Sequence, residues 1–306
     1  MQDFDYCKSE FEWFLSVQYK DIPDLKDKIN EFCHNFCFDD LYDKEKIDIL
    51  PLNEQSKERY YRLSFGSNSK NVWDCDDTHL ARMIYFLIHR DVKNNKYSIP
   101  DLVNFTDIGS GYKYKYRGDT LNTYSTLFGS LNQGYGDYFM KYGIEDSRVE
   151  IFRRKYVTIG NFMLLPAISI QLDPDKRKWD SINTYRGMSE RYRDFFDLFL
   201  YKFINKLDFN QWRDLEETKN YFSVMNDNKK FIEKNILECY LDVSKNVPQN
   251  LFGHFDTEHP FCWWNIGANA NDTNYREFAI RYVNKATEII DYRADIICKI
   301  LQNLYL

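Results

Sequence analysis

Cys33, Cys37, Cys75 and His79 are side chains whose types and spacing suit metal chemistry. Each pair, Cys33-x3-Cys37 and Cys75-x3-His79, has the i, i+4 spacing that puts two side chains on one helical face. Four such ligands would complete tetrahedral zinc. The same spacing also describes an apolar cysteine stripe on a helix, with the acidic residues of 74–77 forming a capping region. A second group, His254, Asp256, Glu258 and His259 followed by Cys262, sits in the stretch FGHFDTEHPFC. Its hard and borderline ligands alternate through a loop and could converge on a metal. The other reading is a surface loop pinned by Phe255, Phe261, Trp263 and Trp264. Beyond zinc, no cofactor is implied.

The stretch GYKYKYRG interleaves Tyr112, Tyr114 and Tyr116 with Lys113, Lys115 and Arg117. On a strand this places rings on one face and cations on the other. Stacking combined with phosphate charge is how single-stranded nucleic acid is held, and an exposed hairpin with an aromatic inner face reads the same way. Arg153, Arg154 and Lys155, then Lys176, Arg177 and Lys178, would extend a basic surface if they fold nearby. The net charge of -6 argues against a surface that is basic throughout. Residues 1–60 hold 15 acidic and 8 basic side chains, so the acidity is mainly N-terminal. Phosphate-loop, dinucleotide-fingerprint, nucleophile-elbow, HExxH and EF-hand patterns are missing from the sequence.

The run TIGNFMLLP is similar to the "TLGNLTLLP" segment of HNH-type nucleases. Such a site needs a His to activate water, a metal, and Asn side chains that orient the loop. Asn161 and Asn183 suit the Asn parts, but no His lies between His89 and His254. The run therefore reads as a buried strand and turn in which Gly160 permits a bend and Asn161 bonds local backbone.

Together with SINTYRGMSERYRDFFDLFL, the run resembles an uncharacterised family of phage, prophage and bacterial proteins. The matching residues are Ile159, Gly160, Met163 and Pro166, then Ser181, Ile182, Asn183, Arg186 and Gly187, then Arg193, Phe195, Phe196, Asp197 and Leu198, within about 155–255. The family has no established catalytic residues, so the resemblance implies none. It implies instead a non-enzymatic binding protein that inhibits a host immune nuclease complex, for example of the Gabija type. Arg186 is then structural, knitting the loop to the following helix through Asn183 and Asp194. The alternatives are a divergent metal-dependent nuclease using the 254–259 cluster and a single-stranded nucleic-acid binder using 112–117.

The elements that must position these residues read as α+β, mainly helical, with a small central set of strands near 60–65 and 112–165 and a long C-terminal helix. Two stretches are expected: an acidic helix and strand region over 1–100, then a strand and loop segment followed by helices over 101–306. Helical spacing runs through 8–38 with Pro23 interrupting it, and Thr78 caps a helix to about 91. Residues 107–143 read as irregular, and 188–207, 212–225 and 229–243 as helices. A loop over 248–274 precedes a helix of about 274–304, whose apolar side carries Tyr282, Ala286, Ile289, Ile290 and Ile297. That helix could equally form a homo-oligomer seam.

Aromatic residues make up 18% of the 306 positions, with 24 Phe and 24 Tyr, so an aromatic core is expected. Seven widely spread cysteines in a chain of this length point to a reducing compartment, the cytoplasm; the resemblance to phage proteins implies that this is the cytoplasm of a host cell. No apolar run reaches the roughly 18 residues of a membrane span.

Overall fold

The computed structural model describes residues 2–65, 75–91, 96–97, 116–122, 147–170, 178–181, 196–197, 200, 204, 228–242, 247–248 and 273–305. Within them the fold is α+β and mostly helical, as expected. Apart from 116–122, the irregular stretch over 107–143 lies outside the described residues, as do the helix over 212–225, the loop over 248–274 except at its two ends, and most of the helix over 188–207.

Helices α1 (Gln2–Gln18) and α2 (Leu25–Asn35) flank Pro23, and Asp24 caps α2 by accepting from the Lys26 and Asp27 amides. A 3-10 turn (Phe38–Tyr42), α3 (Lys44–Asp48) and α4 (Glu54–Phe65) follow. The strand expected at 60–65 is the second half of α4. Its short apolar alternation lies within a run of helix formers begun by Asn53, which accepts from the Ser56 amide at 2.8 Å. Tyr60 and Leu63, one helical step of three apart, are buried.

After a 3-10 turn (Cys75–Asp77), α5 (His79–Ile88) is capped by Thr78, which accepts from the Ala81 amide at 3.2 Å. Leu80, Ala81 and the five residues from Met83 to Leu87 are all buried. The helix thus runs through the interior and does not lie on it with one face. A two-residue antiparallel ladder, β1 (Arg90–Asp91) with β2 (Lys96–Tyr97), comes next.

The larger sheet is antiparallel, with β4 (Phe162–Ile170) between β3 (Tyr116–Thr120) and β5 (Lys178–Ser181). The strand expected of the TIGNFMLLP run starts only at Phe162 and runs on to Ile170: α6 (Ser147–Lys155) precedes it, then a 3-10 turn (Ile159–Asn161). Pro166 does not end β4, because the ladder changes partner there. Residues 162–166 pair with β3 and 167–170 with β5. A residue without an N–H is tolerated where one ladder stops and the next starts.

Helix α7 (Asn228–Asn235), a 3-10 turn (Glu238–Tyr240) and a second short ladder, β6 (Leu241–Asp242) with β7 (Val247–Pro248), lead to α8 (Thr273–Asn303). Along α8, Tyr282, Val283, Ala286, Ile289, Ile290, Ala294, Ile297, Cys298 and Leu301 are buried. Their three-and-four spacing makes α8 the axis on which α2, α5, α6 and the Ile159–Asn161 turn pack. The apolar side that could have been a seam between copies is covered by the chain itself.

One hydrophobic core joins residues from both expected stretches. Much of it is aromatic: Phe11, Phe14, Phe32, Phe36, Phe38 and Phe162 form one connected cluster with paired centroids 5.0 to 5.9 Å apart, mostly edge to face. At the edge of this core, the half-buried Tyr305 hydroxyl donates to the Lys8 carbonyl at 2.8 Å, joining α1 to the segment after α8.

Candidate functional site

The densest polar constellation is inside the core. Arg293 falls on the buried stripe of α8 and is 2% exposed. Its Nε donates to the Gly160 carbonyl at 2.8 Å and Nη2 to that of Phe162 at 2.7 Å. Nη1 donates to the carbonyls of Asn235 at 2.5 Å and Ile236 at 2.7 Å. Four of the five guanidinium N–H groups are thereby committed to main chain. Burial pushes the Arg293 pKa down, while Cys239, Tyr240 and Tyr85 favour its charged form. Two of the accepting carbonyls belong to the C-terminal end of α7, where the helix dipole is negative and carbonyls lack helical partners.

The end of α7 shows why a cation is useful there. Ile236 has φ 58, a left-handed conformation unusual for a β-branched residue. Its amide donates to the Glu233 carbonyl at 3.4 Å and that of Leu237 to the Ile232 carbonyl at 3.0 Å. This is the Schellman pattern, which normally has glycine at that place. Arg293 grips the carbonyl of the strained residue.

A second knot adjoins it. The Asn161 carboxamide accepts from the Asn122 amide and side chain, both at 3.0 Å, and donates to the carbonyls of Asn122 at 3.0 Å and Tyr156 at 2.8 Å. The Tyr240 hydroxyl donates to Asn122 Oδ1 at 3.0 Å. Asn122, Asn161 and Tyr240 are each 0% exposed. Asn161 therefore bonds local backbone, as expected, and also ties the end of β3 to the Glu238–Tyr240 turn. At Gly160 the constraint is proximity and not a bend: an added Cβ would lie 2.4 Å from the Ile290 carbonyl oxygen of α8. The TIGNFMLLP run is thus an interior clasp around α8.

Of the first metal candidates, Cys33 is buried on α2, where burial and a hydrogen bond with Cys298 of α8 push its thiol up. Cys37 precedes the Phe38–Tyr42 turn, and burial raises it too. Cys75 opens the turn before α5, and His79 is the first residue of α5. Burial, then Arg82, pushes His79 down to about 4. Among the described residues no group of three or more His, Cys, Asp and Glu side chains is placed to hold a metal ion, so these four are not gathered as a zinc set. Raised thiol pKa values also oppose the thiolate form that zinc requires.

Arg117 lies in β3 opposite Leu165, which gives its backbone position alone. Tyr112, Lys113, Tyr114 and Lys115 lie outside the described residues, as do His254, Asp256, Glu258 and His259, and Asn183, Arg186 and Gly187. Arg153 and Arg154 are exposed in the last turn of α6, whereas Lys155 turns inward to the His34 carbonyl at 3.0 Å and Asp291 at 2.7 Å. No helix among the described residues is long and apolar enough to cross a membrane.

Sequence reading overlooked Arg293, Asn122, Tyr240 and His89. Arg293 carried a usable signal, since it continues the three-and-four steps from Ile289 and Ile290 to Ile297. His89 is 6% exposed, and burial, then Arg293 and Lys234, pushes it down to about 3.

Comparison with curated proteins and with solved structures returns no match. Residues 120–297, more than half of the chain and wider than the quoted motifs, match a family of unknown function (DUF6994), and the chain belongs to that family.

Proposed function

We propose that the protein works without catalysis, by binding another protein, as a phage or prophage product that inhibits a host immune nuclease complex, for example of the Gabija type. The observation that carries this reading is the surface at α3. Ile49, which ends that helix, is 81% exposed. Residues 38–54 carry Asp39, Asp40, Asp43, Glu45, Asp48 and Glu54 against Lys44 and Lys46. Lys46 is already drawn to Asp40 at 2.6 Å and Asp43 at 3.9 Å.

An exposed aliphatic anchor in a carboxylate-rich segment is complementary to a basic groove with an apolar pocket, the kind of surface with which a nuclease holds DNA. Carboxylates steer the encounter and the anchor slows release. Burial pushes the Asp39 pKa up, and the neighbouring Asp40 carboxylate adds to it. A cationic partner would counter that shift.

The test is DNA cleavage by a purified defence nuclease complex with and without the chain, together with phage growth in cells carrying that system. Inhibition with rescue of growth is expected, both reduced about tenfold or more by Ile49→Lys, since a charged anchor loses its pocket and repels a basic groove. Unimpeded cleavage and no rescue would sink the proposal.

A further inference from the structure

A groove of about 320 Å³ lies between α8 and the Glu238–Tyr240 turn, lined by Glu238, Cys239, Leu241, Lys285, Glu288, Ile289 and Tyr292. It is remote in sequence from the α3 surface and carries its own inference. Ile289, 5% exposed, and Leu241 supply apolar surface. The α8 wall presents Lys285, Glu288 and Tyr292, spaced by three and four so that all lie on one side of the helix. At about 1.5 Å per residue, Lys285 and Tyr292 are about 10 Å apart along the axis.

Tyr292 is 44% exposed, and its hydroxyl is pushed up by burial, then by Glu238 and Cys239, which places the Glu238 carboxylate at the Tyr292 end. Glu238 Oε2 is sealed from solvent and has no hydrogen-bond partner among the described residues. The side chain as a whole is half-buried, so the carboxylate keeps contact with the groove, and a ligand with a cationic donor would supply the hydrogen bond that one of its oxygens lacks. The Tyr292 ring adds an electron-rich face for such a cation. Cys239 does not offer a nucleophile, because burial pushes its thiol up to about 12.

We propose that this groove binds a primary ammonium group carried on an aliphatic stem. The ammonium meets Glu238 and the Tyr292 ring, the stem lies over Ile289 and Leu241, Glu288 adds attraction along the way, and Lys285 repels the cation from the far end. Two sources share this chemistry, a free aliphatic polyamine and the lysine side chain of a partner polypeptide.

Calorimetric titration of the full chain with spermidine, and separately with a short end-capped peptide bearing one lysine, tests the proposal and separates the sources. Saturable binding of at least one probe is expected. Glu238→Gln and Tyr292→Ala should each weaken it about tenfold, and Lys285→Ala should tighten it a few-fold. Glu45→Gln, on the distant acidic surface, should leave it unchanged. Because Tyr292 is exposed, its variant remains informative even if Glu238→Gln disturbs folding. Binding of neither probe, or an equal loss in Glu45→Gln that would mark diffuse counterion attraction, overturns the proposal.

Discussion

Arg293 is a buried cation whose four hydrogen bonds all run to main-chain carbonyls, and that shapes what its replacement does. Methionine at 293 would match much of the volume yet remove the guanidinium donors from four main-chain carbonyls, and a buried acceptor that loses its donor costs about 1–3 kcal/mol. Arg293→Met is therefore expected to lose at least about 3 kcal/mol in urea unfolding, with Arg293→Lys intermediate, because an ammonium cannot span the four oxygens. A loss below 1 kcal/mol would show that water can replace the guanidinium. The carbonyl of Ile236 connects this residue to backbone strain.

At the scale of elements, the end of α7 and the clasp around α8 are built on contrary logic. Ile236 occupies a left-handed position where a side chain is disfavoured, while Gly160 occupies a place where only the lack of one allows the turn to reach α8. Ile236→Gly should consequently be more stable than Ile236→Ala by about 1 kcal/mol, the reverse of the usual order, since both lose the same packing and only Ala keeps a Cβ at positive φ. Gly160→Ala should cost about 1–3 kcal/mol because backbone must give way. Thermal melts of the three variants check both expectations; Ala equal to Gly at 236 would mean that the turn relaxes.

For the whole molecule, two histidines are held in the neutral form, His89 in the core and the half-buried His79 at the start of α5. His89 and His79 have pKa values of about 3 and about 4, below the usual 6.5. Between those values the unfolded chain takes up protons that the folded chain refuses, so stability falls as pH drops from about 6.5 towards 3. Each histidine contributes a slope of about 1.4 kcal/mol per pH unit within its window. Urea unfolding at pH 7, 6 and 5 should show the decline, and His89→Gln should reduce its slope by about the share of one histidine. An unchanged slope would mean that His89 gains its proton without unfolding.

The α8 stripe, the Thr78 cap, the break at Pro23 and the aromatic core were legible because helical periodicity, caps and composition are local properties of the chain. The segment at 60–65 misled because four or five residues of alternation fit a strand or half a helix equally, and only the burial of Tyr60 and Leu63 on one helical side decides. TIGNFMLLP announced itself as a unit, and it lies within the residues 120–297 that match the family. What the unit does was decided in three dimensions. Gly160 is glycine because Ile290 lies 2.4 Å from where a Cβ would be, and Asn161 is asparagine because Asn122, 39 residues earlier, needs its oxygen. The partners of Arg293 lie 57 to 133 residues away. A sequence shows that an arginine interrupts an apolar stripe; only the tertiary structure supplies the carbonyls that make its burial affordable.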